Sequence, residues 1–215
     1  MKKILLVLVC VAMAGWAIGA EVNLVKNPGF EEEIKVNTEQ QQPFVNLLSR
    51  FVDLEQGEFV SMPTGWTPNP SDGWLKGQAS SLRYVTGEPG KEVFAGKRAL
   101  SIGSKNHAAV MDGSNFVEPE RIPGKPTLKL NGPNKFSIYA KGTGRVSVFA
   151  YTYDKRGLNV YGKAKSTPDK FIVTDTWTKY EGTIEFTGPE VGSCILVVAA
   201  GDGTVTVDDV ALYGE

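Results

Sequence analysis

The closing stretch of the chain constrains the fold more than any other. Its apolar residues alternate at period two, which is typical of a strand with one buried face. The alternation slips once, because Val205 and Val207 share one parity whereas Val210 and Leu212 fall on the other. A strand can point all four of these side chains into one core only if it contains an extra residue between the two pairs. We therefore expect a β-bulge at Asp208-Asp209.

The rest of the chain shows short alternating stretches separated by glycine- and proline-rich turns. This pattern predicts an all-β sandwich of two antiparallel sheets. The clearest pair, 135–141 and 145–153, is predicted to form a hairpin through Gly142-Thr143-Gly144. The other predicted strands are 22–25, 81–86, 98–102, 108–111, 127–130, 170–173, 179–186, 193–200 and 204–213.

Residues 34–62 do not follow the strand pattern and are predicted to be an insertion. A polar stretch is followed by apolar residues at roughly helical spacing. We expect a short helix, a small hairpin or an irregular segment that covers one end of the sandwich. A docking surface is the alternative. Of the tryptophans, Trp66 and Trp177 are predicted to lie in the core.

Six short motifs occur in a fixed order along the chain. They are N-L-V-K-N-P-G-F-E from Asn23, P-T-G-W at Trp66, G-K-R-A-L-S-I, F-S-I-Y-A-K-G-T-G, W-T-K-Y-E-G-T and V-D-D-V-A-L, which ends at Leu212. In this order they resemble carbohydrate-binding modules of the CBM4/9 type, within the galactose-binding-like jelly rolls. The resemblance implies a jelly-roll fold, poly- or oligosaccharide binding without catalysis, and a structural calcium.

The N-terminus predicts export. Basic Lys2 and Lys3 lead into an apolar run, and small residues follow up to Ala20, as in a secretory signal peptide. We expect residues 1–20 to be removed after Gly19 or Ala20, leaving 21–215 as one domain in an extracellular or periplasmic location. The loss of two lysines leaves 21 of the 23 basic residues against 24 acidic ones, which argues against a nucleic-acid partner. No transmembrane segment is expected in the mature chain, which retains only Cys194, predicted to be a buried thiol.

Aromatic side chains gather on one parity of the predicted hairpin. Rings with polar tips on a half-exposed sheet face stack on the apolar side of sugars and form hydrogen bonds with their hydroxyl groups. Ordinary packing, or cover from the insertion, is the alternative, since such residues favour strands in any case. The candidate ligand-binding residues are Tyr139, Phe149, Tyr151 and Tyr153, with Trp74 and Tyr161 at the rim.

The resemblance also places a calcium where the first strand meets the last. The matching positions are Glu31 and Asp208, and Asp209 is a further candidate ligand. Calcium takes about 6–8 oxygen ligands, so two or three carboxylates meet only part of its demand. The alternative is a plain turn beside solvated aspartates.

No catalytic constellation stands out. His107 is the one histidine, and no nucleophile-elbow pattern surrounds its neighbouring serine or aspartate. We therefore expect no enzyme, although a small polysaccharide hydrolase or lyase remains an alternative because two carboxylates suffice for glycoside hydrolysis. The second alternative is an envelope or surface protein that uses the sandwich to contact other envelope proteins.

Overall fold

The computed structural model of the protein describes residues 21–37, 59–68, 82–103, 107–110, 132–154, 160–187 and 191–214. Its elements within these ranges are all β-strands, so the predicted all-β class is confirmed. The strands are β1 (Val22–Asn23), β2 (Glu33–Asn37), β3 (Phe59–Pro63), β4 (Trp66–Pro68), β5 (Leu82–Thr86), β6 (Arg98–Ile102), β7 (His107–Val110), β8 (Pro133–Gly142), β9 (Arg145–Asp154), β10 (Val160–Thr167), β11 (Phe171–Ile172), β12 (Thr178–Glu185), β13 (Val191–Ala200) and β14 (Val205–Gly214).

Twelve strands form one antiparallel hydrogen-bonded network that folds into two layers. Ten of them follow the order β4-β7-β13-β9-β10-β12-β8-β14-β6-β5, while β11 adds to β9 and β1 adds to β14. The first part of β10 pairs with β9, and its last two residues, Ser166 and Thr167, pair with β12. We call β4, β7, β13, β9 and β11 the β9 layer, and β12, β8, β14, β6, β5 and β1 the β8 layer.

The two layers pack on a shared apolar core. Val148 and Leu196 from the β9 layer and Ile138 and Val207 from the β8 layer are each at most 1% exposed and belong to one cluster. The predicted jelly-roll sandwich is therefore confirmed, with the addition that β10 joins its two sheets. Trp66 is also buried there, and so is the side chain of Cys194, both as predicted.

Strand β14 bends at the predicted bulge. Its register against β8 shifts between Asp208 and Ala211, and Asp209 has a φ of 44°. The extra residue reverses the parity, so all four apolar side chains of the slipped alternation lie fully buried in the same core. The inference from the slip is confirmed.

Strands β8 and β9 do not form the predicted hairpin. β8 pairs with β12 and β14, whereas β9 pairs with β10 and β13. The segment Gly142-Thr143-Gly144 instead carries the chain from one layer to the other, with positive φ values at both glycines. The prediction was wrong because alternation shows which face of a strand is buried and not which neighbour it pairs with.

The ends of the predicted insertion pair with each other as a separate two-stranded ladder. Strands β2 and β3 run antiparallel, with Ile34 opposite Met62 and Asn37 opposite Phe59. The helical spacing proposed for the middle of the insertion falls on residues 38–58, outside the described residues. The same holds for the predicted strand at 127–130. Among the described residues, no helix is long and apolar enough to cross a membrane.

Candidate functional site

Phe149 and Tyr151 lie on the outer surface of the β9 layer. Their neighbours along β9 are buried in the shared core, and side chains alternate between the faces of a strand. The two ring centroids are 5.5 Å apart with an interplanar angle of 89°. Together with Val197 and Ala199 of β13, they form a second apolar cluster outside the core. The structure thus brings together these two of the predicted ligand residues.

Much of this second cluster is closed to solvent. Phe149 is only 5% exposed, Val197 is 0% exposed and Ala199 is 7% exposed. Tyr151 is partly buried. Phe149 therefore supports the ring beside it instead of presenting its own surface, and Tyr151 is the described ring of this face that keeps part of its surface exposed.

A lysine from the adjacent strand lies above these rings. Lys163 on β10 pairs directly with Tyr151 on β9. Its Nζ lies 3.7 Å from the centroid of Phe149 and 5.7 Å from that of Tyr151. An ammonium group over an aromatic face is attracted by the ring quadrupole. The accessible part of this surface therefore combines a ring and a positive charge.

Tyr139 lies on the other side of the molecule. It belongs to β8, whose inward side chains face the shared core, so Tyr139 points out of the β8 layer. Its ring is stacked on Phe94, with centroids 3.5 Å apart and an interplanar angle of 13°. The expectation of one shared aromatic face was wrong for Tyr139, because it assumed that β8 and β9 are paired neighbours.

Trp177 lies beside this stack and not in the core. It is partly exposed, and its ring meets Phe94 edge-on at a centroid separation of 6.1 Å. Its Nε1 donates to the carbonyl of Lys91 at 2.9 Å, and the Nζ of Lys141 lies 5.1 Å from its ring centroid. The prediction of Trp177 as a core residue was wrong, because it lies in the turn before β12 and packs on the loop between β5 and β6.

Three predicted ligand residues have no described side chain. Trp74 lies outside the described residues. Tyr153 and Tyr161 lie within β9 and β10, where the structure describes the backbone alone. Tyr153 pairs with Val160 and Ser193, so its position continues the row of Phe149 and Tyr151 along β9.

Glu31 and Asp208 meet at the loop between β5 and β6. A Cβ built on Gly29 would lie 3.5 Å from Oδ1 of Asp208 and 3.8 Å from Cγ of Glu31, so the two side chains flank one point. Oε1 of Glu31 accepts hydrogen bonds from the backbone N–H groups of Lys97 and Arg98, at 2.7 and 2.9 Å. The structure therefore brings together these two of the three predicted metal ligands.

Asp208 is an acidic side chain sealed inside the protein. It is 0% exposed, and its carboxylate accepts hydrogen bonds from the backbone N–H groups of Phe94, Ala95 and Asp209 at 2.8–3.1 Å. Burial raises its pKa to about 6, against the lowering effect of these three hydrogen bonds, and the charge of Asp209 raises it further. None of the described basic side chains pairs with this carboxylate.

The chemistry of this pair fits a cation. Buried charges in proteins are normally paired or bound to metal. The three N–H donors fill three of the roughly four acceptor sites of the Asp208 carboxylate and do not neutralise its charge. A calcium held by Glu31, Asp208 and backbone carbonyls would supply that charge. Asp209 is exposed, and the described residues contain no group of three or more histidine, cysteine or acidic side chains arranged to hold a metal.

Two features were missed at the level of sequence. Phe94 lies in a turn-rich loop between β5 and β6, where nothing in the spacing predicts a ring stacked on a sheet. Lys163 was identifiable in principle, because it has the opposite parity to Ala164, which packs on the core. A strand of low hydrophobicity gives a weak alternation signal, however, and the outward face of β10 went unnoticed.

No protein-family profile matches the sequence, and no curated protein matches it. Solved structures are similar at low identity. The CBM22-1 xylan-binding domain from Paenibacillus barcinonensis Xyn10C is 14% identical over 70% of this chain and 85% of its own length, with a TM-score of 0.44. TmCBM61, solved with β-1,4-galactotriose, is 15% identical over 90% and 99%, with a TM-score of 0.40. The Stig cyclase Fisc from Fischerella sp. TAU is 14% identical over 91% and 98%, with a TM-score of 0.48.

The solved structures similar to this chain thus include carbohydrate-binding modules of families 22 and 61, and also a cyclase. The comparison does not distinguish the CBM4/9 type that the motifs resemble. Nor does it assign a ligand to this chain, and the site rests on the geometry described above.

Proposed function

We propose that the mature chain, residues 21–215, is an exported, noncatalytic domain that binds poly- or oligosaccharide on the outer face of the β9 layer. The observation that carries the proposal is the partly exposed ring of Tyr151 on that face, flanked by Lys163. The ordered motifs shared with CBM4/9-type modules support the same function.

Sugar recognition on this face combines stacking and hydrogen bonding. The C–H face of a pyranose packs on the ring of Tyr151, while the phenol hydroxyl and nearby polar groups pair with the sugar hydroxyls. A single described ring therefore gives modest affinity, and a polysaccharide that spans Tyr151, Tyr153 and the rim residues Trp74 and Tyr161 gains from repeated contacts.

Affinity electrophoresis through gels containing xylan, galactan or mixed-linkage glucan tests the proposal. We expect at least one glycan to retard the wild type, and Tyr151→Ala to weaken that retention about tenfold. Tyr139→Ala removes a ring of the same kind from the opposite layer and is expected to leave retention unchanged. The thermal unfolding midpoint of each variant checks folding. The proposal would be contradicted if no glycan retarded the wild type, or if Tyr139→Ala lost retention while Tyr151→Ala kept it.

We also propose a structural calcium at Glu31 and Asp208. Such a cation would offset the buried charge and link the N-terminal segment, the loop between β5 and β6, and β14, so that binding stabilises the fold. At a calcium concentration 100 times the dissociation constant the gain is about 2.7 kcal/mol. We expect EDTA to lower the melting temperature by several degrees and Asp208→Asn to remove the difference between calcium and EDTA. Identical melting in both conditions would refute the site.

One observation favours a second function, protein contact by a surface or envelope β-sandwich. Phe149, Val197 and Ala199 are buried although they lie on the outer face of their layer, which leaves less of that face for a ligand. Multi-angle light scattering with pull-down on envelope extracts separates the two functions. Specific, saturable capture that Tyr151→Ala does not affect, without glycan retention, would favour protein contact.

Export is the remaining part of the proposal. It rests on the basic and apolar character of residues 1–20. Expression of the full chain in a bacterial host followed by mass spectrometry of the secreted or periplasmic product tests it. We expect a mature N-terminus at Ala20 or Glu21.

A further inference from the structure

Two lysines extend along the same outer face as Tyr151. In the register of β10 against β9, Lys163 lies opposite Tyr151 and Lys165 lies opposite Phe149. Directly opposed residues of antiparallel strands share a face. Ala164, between the two lysines, packs against the shared core, so both lysines point outward beside the ring cluster.

These two positive charges have no acidic partner among the described residues. Both lysines are exposed. The ion pairs of the described residues involve other basic side chains, such as Lys179 with Glu181 and Arg145 with Asp202. The Nζ of Lys163 contacts the rings and no carboxylate. The described part of the face therefore has positive local potential, although the chain as a whole carries a formal net charge of −1.

We propose that the ligand of this face is a polysaccharide bearing uronic-acid carboxylates. This inference rests on the proposed function and specifies its substrate class. In a uronic acid the carboxylate projects from the edge of the pyranose ring, so a ring stacked on Tyr151 carries the charge at its periphery, where Lys163 and Lys165 lie. Charge complementarity of this kind selects among partners and suppresses wrong ones. A neutral glycan would leave both ammonium groups without a partner.

Retention on polygalacturonate and alginate gels, compared with neutral xylan and galactan gels, tests the inference. We expect tighter retention on the acidic gels, weakened by raising NaCl from 50 to about 500 mM, because salt screens exposed charges. Lys163→Gln and Lys165→Gln are each expected to weaken acidic-gel retention about fivefold. Lys163→Arg keeps the charge and is expected to retain binding. Lys26→Gln, which removes an exposed lysine near β1 in the opposite layer, is the matched control and is expected to behave as wild type.

The outcomes separate this inference from the proposed function. Retention on neutral gels that Tyr151→Ala weakens, without a preference for the acidic gels, would keep the sugar site and overturn the inference. The absence of retention on every gel would overturn both. If dextran sulfate retained the protein as strongly as the acidic gels do, and Tyr151→Ala did not change this, the attraction would be one of charge in general. That result would also overturn the inference. Unchanged melting temperatures in the lysine variants exclude loss of fold as the cause.

Discussion

At the scale of single residues, Asp208 shows how one side chain serves structure and candidate function together. Its position opposite Tyr139 on β8 would place a carboxylate on the outside of the layer, yet the loop between β5 and β6 closes over it. Three backbone N–H groups donate hydrogen bonds to its carboxylate, but no described positive charge neutralises it. A side chain in this state is a place where protonation or a cation changes the stability of the fold.

The raised pKa of Asp208 gives a prediction for the metal-free protein. The pKa is about 6 in the folded protein and 3.8 in the reference state, so the folded protein holds the proton more tightly. The stabilisation is complete below pH 3.8 and is lost as the pH rises through about 6. In EDTA, we expect the stability of wild type relative to Asp208→Asn to fall by up to about 3 kcal/mol across this range.

Urea unfolding of both proteins at several pH values between 4 and 7 measures this difference. Comparison with Asp208→Asn cancels the titration of the other carboxylates. With calcium added we expect the opposite slope near neutral pH, because the metal binds the deprotonated form. Parallel pH profiles of wild type and variant in EDTA would contradict the assigned pKa.

At the scale of elements, the bulge in β14 positions Asp208 and makes the core continuous. Its left-handed residue is Asp209, with a φ of 44°. Glycine adopts this conformation without the Cβ clash that costs other residues about 1–2 kcal/mol. In EDTA we expect Asp209→Gly to be more stable than Asp209→Ala by about 1 kcal/mol.

Both substitutions remove the charge beside Asp208, so their difference reports the cost of the left-handed conformation, net of the greater unfolded-state entropy of glycine. Chemical denaturation with unchanged m-values measures it. A higher stability of Asp209→Ala than of Asp209→Gly would show that residue 209 is not held in the left-handed region in solution.

The sequence predicted the inner faces of the strands and the bulge, because both follow from the period of two and one reversal of parity. It did not predict strand partners. Tyr139 and Tyr151 have equivalent patterns, yet they lie on opposite outer surfaces because β8 and β9 belong to different layers. The stack of Phe94 on Tyr139 depends on the conformation of a loop, which alternation does not encode. For this reason the sequence predicted the pair Phe149 and Tyr151 correctly but placed Tyr139 on the same face wrongly.

At the scale of the whole molecule, β10 unites the two layers, and the chain ends pair within one of them. β10 passes from one layer to the other within eight residues. β1 pairs with β14, and the side chain of Asn23 joins the two ends of the chain. Its Nδ2 donates to the carbonyl of Val210, and its Oδ1 accepts from the N–H groups of Leu212 and Val25. Because β10 and the shared core join the two layers, neither layer is expected to unfold without the other.

Asn23→Ala removes the three hydrogen bonds of this side chain and leaves buried backbone groups unpaired. We expect it to destabilise the whole protein by about 2 kcal/mol, lowering the urea midpoint without changing the m-value. In a Trp74→Phe, Trp177→Phe background, tryptophan fluorescence follows buried Trp66 in the β9 layer, whereas far-UV circular dichroism follows all strands. The two probes should give coincident transitions. Within the described residues, the hydrogen bonds of Asn23 join β1 to β14 of the β8 layer. A variant in which fluorescence lags behind circular dichroism would therefore show that the layers unfold separately and that the end-to-end contact stabilises one of them alone.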